Sequence, residues 1–334
     1  MKHWRPRELE ILAGLRARFL AGTAGARDYW RSTEELGLYD ETFAARIGWK
    51  IDAVVRDLQR LGWRPKSRRL LDWGCGTGIA TRRILAAWPE FTEVTLHDRS
   101  PLALRFARDR IAAEHPKVTF GREIKADRDM LLVLSHVISE FDQQSRAEVL
   151  ELVRTAGEII WIEAGTFADS RRLVEIRAEL LTAGGDFQVI APCTHSVACP
   201  LFQEANAKHW CHHFAEAPSD VSRDARWDEW SRELGIDRRS LPYSHVVLSI
   251  HSGSQTSGFS RIIGVPREGK GHHKILCCDE SGLRELMLQK RDSPELYRAL
   301  GKSSEYPPYR WQLTGGKISG AERVPGESPP EGRI

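Results

Sequence analysis

The sequence predicts an α/β protein: a parallel sheet wrapped by helices on both faces, with a helical cap before it and a Cys/His-rich insertion behind it. Three observations predict this. Short apolar runs alternate with helical stretches over residues 69–183. The first run ends in a glycine-rich loop that opens a helix. A later stretch breaks the alternation and crowds together Cys193, Cys199 and Cys211. The chain has 334 residues, 41% of them hydrophobic, which is enough for one large core or two ordinary ones. Its 49 Lys and Arg against 46 Asp and Glu leave a charge of +3, which excludes a histone-like polycation, so nucleic-acid contacts must rest on local patches.

The elements follow in order. Over residues 6–20, Leu9, Leu12, Leu15 and Phe19 recur at helical spacing. Over 41–61, Phe43, Ile47, Ile51, Val54, Val55 and Leu58 do the same before the Gly62 stop. These helices form a cap, residues 1–65. Strands at 69–73, 93–97, near Val118, 130–134 and 158–163 alternate with helices at 79–87, 101–114, 143–156 and 170–183, giving a Rossmann-like core over 66–185. The insertion spans 186–243. Two further strands, 244–251 and 272–278, are joined by a stretch too short for a crossover helix. They are expected to complete the sheet as an antiparallel hairpin within 244–312. Residues 313–334, rich in Gly, Pro, Glu and Ser, are expected to be disordered.

No run approaches the roughly 18 apolar residues of a membrane-spanning helix, and no charged-then-apolar leader is present. Glu8 and Glu10 argue against a transit peptide, so the chain reads as cytoplasmic, with no membrane partner. In that reducing setting its cysteines are thiols or metal ligands.

Asp72-Trp73-Gly74-Cys75-Gly76-Thr77-Gly78 follows a strand and opens a helix, and the next strand ends at His97-Asp98. Glycines let a ligand approach the backbone, and an acid about twenty residues on accepts bonds from ribose hydroxyls. This D-x-G-x-G-x-G loop resembles the S-adenosylmethionine site of class I methyltransferases; the NAD register does not fit. Asp72, Gly74, Gly76, Gly78 and Asp98 are therefore the candidate cofactor residues. A bare tight turn is the alternative. After the fourth strand stands Ser135-His136-Val137-Ile138, where N-methyltransferases carry an amine-gripping tetrapeptide. No catalytic residue is identified, and His136 and Glu140 are the only candidate bases.

In the insertion, Ala191-Pro192-Cys193-Thr194-His195, Ala198-Cys199-Pro200 and Trp210-Cys211-His212-His213-Phe214 precede the late pair Cys277-Cys278. Converging thiols would hold zinc or an iron–sulfur cluster. The spacing lacks a C-x-x-C knuckle, and ordinary buried thiols are the alternative. Ala-Pro-Cys also resembles the nucleophile loop of RNA cytosine-5 methyltransferases, although here it follows the fifth strand.

Glu163-Ala164-Gly165-Thr166, Ser170-Arg171-Arg172 and the three cysteine segments together resemble the methyltransferase-like factors of the mitochondrial and bacterial small ribosomal subunit, over residues 70–297. The resemblance implies a class I methyltransferase fold, S-adenosylmethionine, a role in small-subunit assembly on rRNA, and a four-cysteine [4Fe-4S] cluster. Its ligands would be Cys193, Cys199, Cys211 and Cys278, with Cys277 the alternative fourth and zinc the alternative metal. The factor is expected to be a monomer. A working rRNA methyltransferase and a cluster-based redox or iron sensor are the other readings. Departures from the family are a longer gap between the second and third cysteines and Ser303-Ser304-Glu305 where Trp-Gly-Asp is common.

Basic clusters occur at Arg64, Lys66, Arg68 and Arg69; at Arg223, Arg226, Arg232, Arg238 and Arg239; and at Arg261, Arg267, Lys270 and Lys274. A shared face would make a phosphate-binding stripe. Trp210, Trp227 and Trp230 could stack on bases or pack in a small lobe.

Overall fold

The computed structural model describes residues 3–21, 30–182, 186–251 and 256–324. Its helices and strands begin with α1 (Pro6–Leu20), α2 (Thr33–Tyr39), α3 (Ala45–Arg60), β1 (Arg69–Trp73), α4 (Ile79–Ala87), β2 (Glu93–His97), α5 (Pro101–Glu114), β3 (Thr119–Phe120), β4 (Met130–Ser135) and α6 (Gln143–Thr155). They continue with β5 (Glu158–Ala164), α7 (Phe167–Thr182), β6 (Gln188–Ala191), β7 (His213–Phe214), α8 (Ala225–Leu234) and β8 (Pro242–Ser249). The last are β9 (Arg261–Ile262), β10 (Arg267–Gly269), β11 (His272–Asp279), β12 (Gly282–Gln289), α9 (Pro294–Leu300), β13 (Tyr309–Thr314) and β14 (Lys317–Arg323). The chain divides into two compact units, Met1–Asp52, Ser67–Gly157 and Ala215–Leu241 in one, Ala53–Lys66, Glu158–Phe214 and Pro242–Ile334 in the other.

In the first unit, parallel strands run in the order β3-β2-β1-β4. Leu70 and Leu71 of β1 are both fully buried, as a strand covered on both faces requires. Ile84 of α4 and Ala107 and Ile111 of α5 are buried as well. The N-terminal helices pack through Leu12, Leu15 and Leu36 onto Trp230 and Leu234 of α8. Residues 215–241, grouped by sequence with the cysteines, therefore belong with the cap. Trp230 and Leu234 lie four apart on one helix face, and the cap offers them an apolar surface. Trp227 packs against Trp49 and Trp230, so packing occupies these two indoles.

In the second unit, β5 pairs antiparallel with β8, whose other edge takes β6 and β7. The hairpin expected from 244–251 and 272–278 does not form. β8 is flanked on both edges, while a two-residue turn at Glu280-Ser281 pairs β11 with β12, Asp279 opposite Gly282. β11 thus starts a second sheet, in the order β10-β11-β12-β14-β13, with β9 also on β11. Residues 309–323, partly assigned to a disordered tail by composition, supply two of its strands. Gly315 and Gly316, at φ 56° and 75°, make the tight turn between them, and Ile318 anchors β14 in the core. The rest of that tail, 325–334, lies outside the described residues.

Arg261 organises this unit. It is 4% exposed, and its guanidinium donates to Asp57 at 2.9 Å, to the Pro192 carbonyl at 2.9 Å and to the Tyr306 carbonyl at 3.4 Å. Asp57→Ala, which strands a buried cation, is expected to cost about 3–5 kcal/mol. The paired Asp57→Leu/Arg261→Met variant is expected to cost less, with urea unfolding as the readout for both.

Candidate functional site

β1 lies between β2 and β4, and its last residue, Trp73, is level with His97 on one side and Leu134 on the other. Ligands in open parallel sheets bind at such carboxyl ends, where the strand order reverses. A cavity of about 350 Å³ opens there, a size suited to a cofactor. Asp72, Gly74, Gly76 and Asp98 line it; Gly78 does not. Gly78 instead precedes α4 with φ 74°, and a Cβ there would press on Ala107 and Ile111, so its smallness serves helix packing. A Cβ on Gly74 would meet Val137 at 2.6 Å, whereas Gly76 has open space beside it.

The loop is held by its own backbone. The amides of Gly74 and Cys75 donate to the His97 carbonyl at 2.8 and 2.9 Å, and the Gly76 amide donates to Asp98 Oδ2 at 2.8 Å. Ser100 N–H donates to Asp98 Oδ1 at 2.8 Å. Asp98 is thereby fixed at the cavity edge, with lone pairs left on each oxygen. Burial raises its pKa against the pull of these two amides.

Asp72 is fully buried and accepts from Thr81 Oγ1 at 2.7 Å, while its Oδ1 has no partner. Thr77 Oγ1 and His97 Nδ1 are also buried and unpartnered. Three such atoms around one cavity are an unusual concentration, and they call for a polar ligand. Burial pushes Asp72 up to about 7.

Sequence reasoning missed how the cavity is enclosed. Tyr39, Trp30 and Ile47 of the cap line it, as do Trp73, stacked on His97 with ring centres 5.1 Å apart, and Phe141. Trp73 and His97 flank the motif residues and were legible; the cap residues carry no local signal. His136 lines the cavity with φ 57°, unusual for a non-glycine residue. Its Nε2 lies 3.3 Å from Lys50 Nζ, and burial followed by the Lys50 charge holds its pKa well below the ordinary histidine value. Glu140 also lines the cavity, paired with Arg99 at 2.9 Å.

In the second unit, Cys193, Cys199, Cys211 and Cys278 line a single pocket together with His195, His245 and Arg261. Cys277 points the other way, into the apolar core of the second sheet, where burial raises its thiol to about 12. The segment between Cys193 and Cys211 has little regular structure, and guanidinium groups hold its carbonyls. Arg171 donates to Leu201 O at 2.7 Å and His209 O at 2.9 Å, and Arg177 donates to His195 O at 3.0 Å. Ser170 Oγ donates to Cys211 O at 2.5 Å.

Burial, then the neighbouring thiols Cys193 and Cys199, pushes the Cys211 thiol well up. Cys278 is raised by burial and then by Cys193, Cys211 and Cys199. Cys199, Cys211 and Cys278 are thus each raised by burial and by neighbouring thiols, with Arg177 pulling the first two the other way, and a positive centre among them would add to that pull. Among the described residues, no group of three or more His, Cys, Asp or Glu side chains is arranged to hold a metal ion. His245, fully buried with both ring nitrogens unpartnered, was not anticipated, although a histidine inside the apolar run of β8 was a visible signal.

Most of the basic clusters are neutralised. Arg69 pairs with Asp127, Arg226 with Glu41, Arg232 with Glu233, Arg238 with Asp228 and Arg239 with Asp237. Arg261 is buried, while Arg267 and Lys274 remain on the surface. Trp210 stacks on His212 and donates to Gly165 O at 3.0 Å, a packing role.

A family model described as mitochondrial small ribosomal subunit Rsm22 matches residues 43–306. No curated protein matches the chain. Among solved structures, an O-methyltransferase family protein from Burkholderia thailandensis is 15% identical, with TM-score 0.39, covering 75% of this chain and 71% of its own. The plantazolicin methyltransferase BamL, solved in complex with a triazolic desmethylPZN analog and SAH, is 11% identical, with TM-score 0.40, covering 72% of this chain and 98% of its own. A protein from Thermoplasma acidophilum is 15% identical, with TM-score 0.35, covering 64% and 98%. No helix among the described residues is long and apolar enough to cross a membrane.

The raised pKa of Asp72 has a signed consequence. Unfolded, this carboxyl ionises near 4; folded, it holds its proton to about 7. Its contribution to stability is therefore full below pH 4 and lost as pH rises through 7. Urea midpoints of the wild type are expected to fall over that window relative to Asp72→Asn, and parallel profiles would contradict the assignment.

Proposed function

Since the chain belongs to the family described as mitochondrial small ribosomal subunit Rsm22, we propose that it is an S-adenosylmethionine-binding, iron–sulfur-containing factor that acts on the small ribosomal subunit through its rRNA. One observation carries the reading. The stretch matched by the family, 43–306, contains both the glycine-loop cavity with its unpartnered Asp72 Oδ1 and the pocket onto which four thiols converge.

The residues suit the cofactor. Asp98 offers lone pairs to ribose hydroxyls, the open side of Gly76 admits a ligand against the backbone, and Asp72 Oδ1 would accept from the amino group of the methionine part. Cys193, Cys199, Cys211 and Cys278 would hold the cluster, since thiolates are its usual ligands and four irons spread their ligands wider than one ion does. When bound, the cluster supplies a positive centre that keeps the thiolates deprotonated, with zinc as the alternative. Its work would be structural, joining the 193–211 segment to β11. All six cysteines are free thiols, which suits the cytoplasmic, monomeric factor we propose.

A working rRNA methyltransferase is the second reading, favoured by His136. Its left-handed backbone at the cavity wall and its neutral ring would suit a base. Tritium transfer from labelled S-adenosylmethionine to small-subunit rRNA, abolished in His136→Ala, would support turnover.

Three measurements test the leading reading. Asp98→Ala is expected to weaken S-adenosylmethionine binding at least tenfold by calorimetry, and unchanged affinity would overturn the cofactor assignment. Anaerobically purified protein is expected to carry about four irons and four sulfides per chain, lost in Cys193→Ser. Zinc alone would keep the clamp without the cluster, and no metal would return the thiols to the core. Co-sedimentation with small-subunit particles tests the partner.

A further inference from the structure

Residues 256–324 have 12 Lys and Arg against 8 Asp and Glu, a net charge of +4, when the whole chain nets only +3. They also form a barrel. The amide of Ser260, next to β9, donates to Tyr309 O at 2.7 Å and receives the Tyr309 amide at 2.9 Å. This bridge links β9 to β13 and closes the circuit β9-β11-β12-β14-β13. β12 and β14 are parallel while the other pairs are antiparallel, and α9 lies between β12 and β13 with Leu300 in the barrel core. Taken as strands 1 to 5, the order is 1-2-3-5-4, with strand 3 parallel to strand 5 and a helix between strands 3 and 4. That is the topology of the OB-fold, a barrel whose second and third strands and adjoining loops bind oligonucleotides.

Topology alone does not assign a ligand. The outer face does so by its charge. Ile275, Cys277, Leu286, Leu288 and Ile318 point inward, so their neighbours point out. Register places Arg267 of β10, Lys274 of β11, Met287 of β12 and Lys317 of β14 in one cross-strand row. Three cations and a methionine thus cross four strands on one face, over about 14 Å at the usual strand spacing. Glu285 contacts both Arg267 and Lys274, so two cations share one carboxylate. At the adjoining ends of β11 and β12, Gly271, Gln289, Lys290 and Arg291 line an open depression, held by the Lys290 amide donating to Gly271 O at 2.9 Å.

We propose that this barrel is a single-stranded RNA-binding module that grips the sugar–phosphate backbone along the row Arg267, Lys274 and Lys317. The inference deepens the ribosomal reading by naming the surface that meets RNA, and rests on it for the source of that RNA. With no aromatic side chain in the row, contact falls on phosphates and is indifferent to sequence.

The test uses the full-length chain and a fluorescein-labelled oligouridylate of about 12 nucleotides, with an RNA duplex of equal length as comparison. In Arg267→Ala/Lys274→Ala/Lys317→Ala the slope of log affinity against log salt is expected to fall by about 2, and affinity at 0.1 M salt by about 100-fold. Glu285→Gln is expected to bind several-fold tighter, an effect that a merely structural role would not produce. Arg232→Ala/Arg239→Ala, exposed and outside the barrel, is expected to bind as the wild type. An unchanged slope in the triple variant, failure to bind the oligomer, or tighter binding of the duplex would each overturn the proposal. Small-subunit co-sedimentation is read separately. Wild type that sediments while the triple variant binds RNA normally sinks the surface but keeps the ribosomal reading; wild type that binds the oligomer but does not sediment sinks the ribosomal reading and keeps the surface.

Discussion

The second unit depends on a charge taken out of water. A buried guanidinium is costly unless its donors are met, and Arg261 meets those on Nε and Nη1 with a carboxylate from α3 and carbonyls from two separate connections, leaving Nη2 without a partner. Those contacts also place the thiols. Arg261 stands opposite Cys278 in the ladder, and the carbonyl it holds belongs to Pro192, the residue before Cys193. Two of the four thiols in the pocket are therefore positioned from one residue, Cys278 by its strand pairing and Cys193 by its side chain, and Ser170 fixes a third through the backbone of Cys211. Arg171 and Arg177 extend the same device along a segment with almost no ladder of its own. A planar fork of five donors can satisfy several carbonyls that a strand or helix would otherwise pair.

The first unit solves a different problem with less charge. Its cavity is built from backbone amides folded back onto His97 and Asp98: two of these bonds go to a main-chain carbonyl that no side-chain change removes, and the third goes to the Asp98 carboxylate. Of the buried side-chain atoms in this unit that lack a partner, those of Asp72, Thr77 and His97 lie around the cavity. Most buried polar groups in a folded protein find a partner, and three that do not, all beside one cavity, have bonding capacity left for a polar ligand.

Some of this was legible in advance. The short apolar runs and helical stretches placed β1, β2, α4 and α5 to the residue, because each is a local pattern reinforced by a glycine or a cap. The cysteines were legible as a group because they crowd a short stretch, and the choice of Cys278 over Cys277 rested on resemblance. The strand explains what the pattern could not. Successive residues of β11 face opposite sides, so one thiol enters the pocket and its neighbour enters the barrel core. The cap residues Trp30, Tyr39 and Ile47 could not be found from sequence, since they reach the cavity only through packing.

The sequence by itself determined the elements of the parallel sheet, the glycine loop, the acid on the second strand and the supply of thiols, because periodicity, turn chemistry and spacing are written over a few residues. Tertiary structure alone decided that α8 packs with the N-terminal helices, that β11 leaves the first sheet, that four thiols share a pocket, and that Arg267, Lys274 and Lys317 form one row. Each of these follows from pairing between residues far apart in the chain. Such pairing is set by which edge and which apolar face are still free when the elements meet, and no local pattern records that.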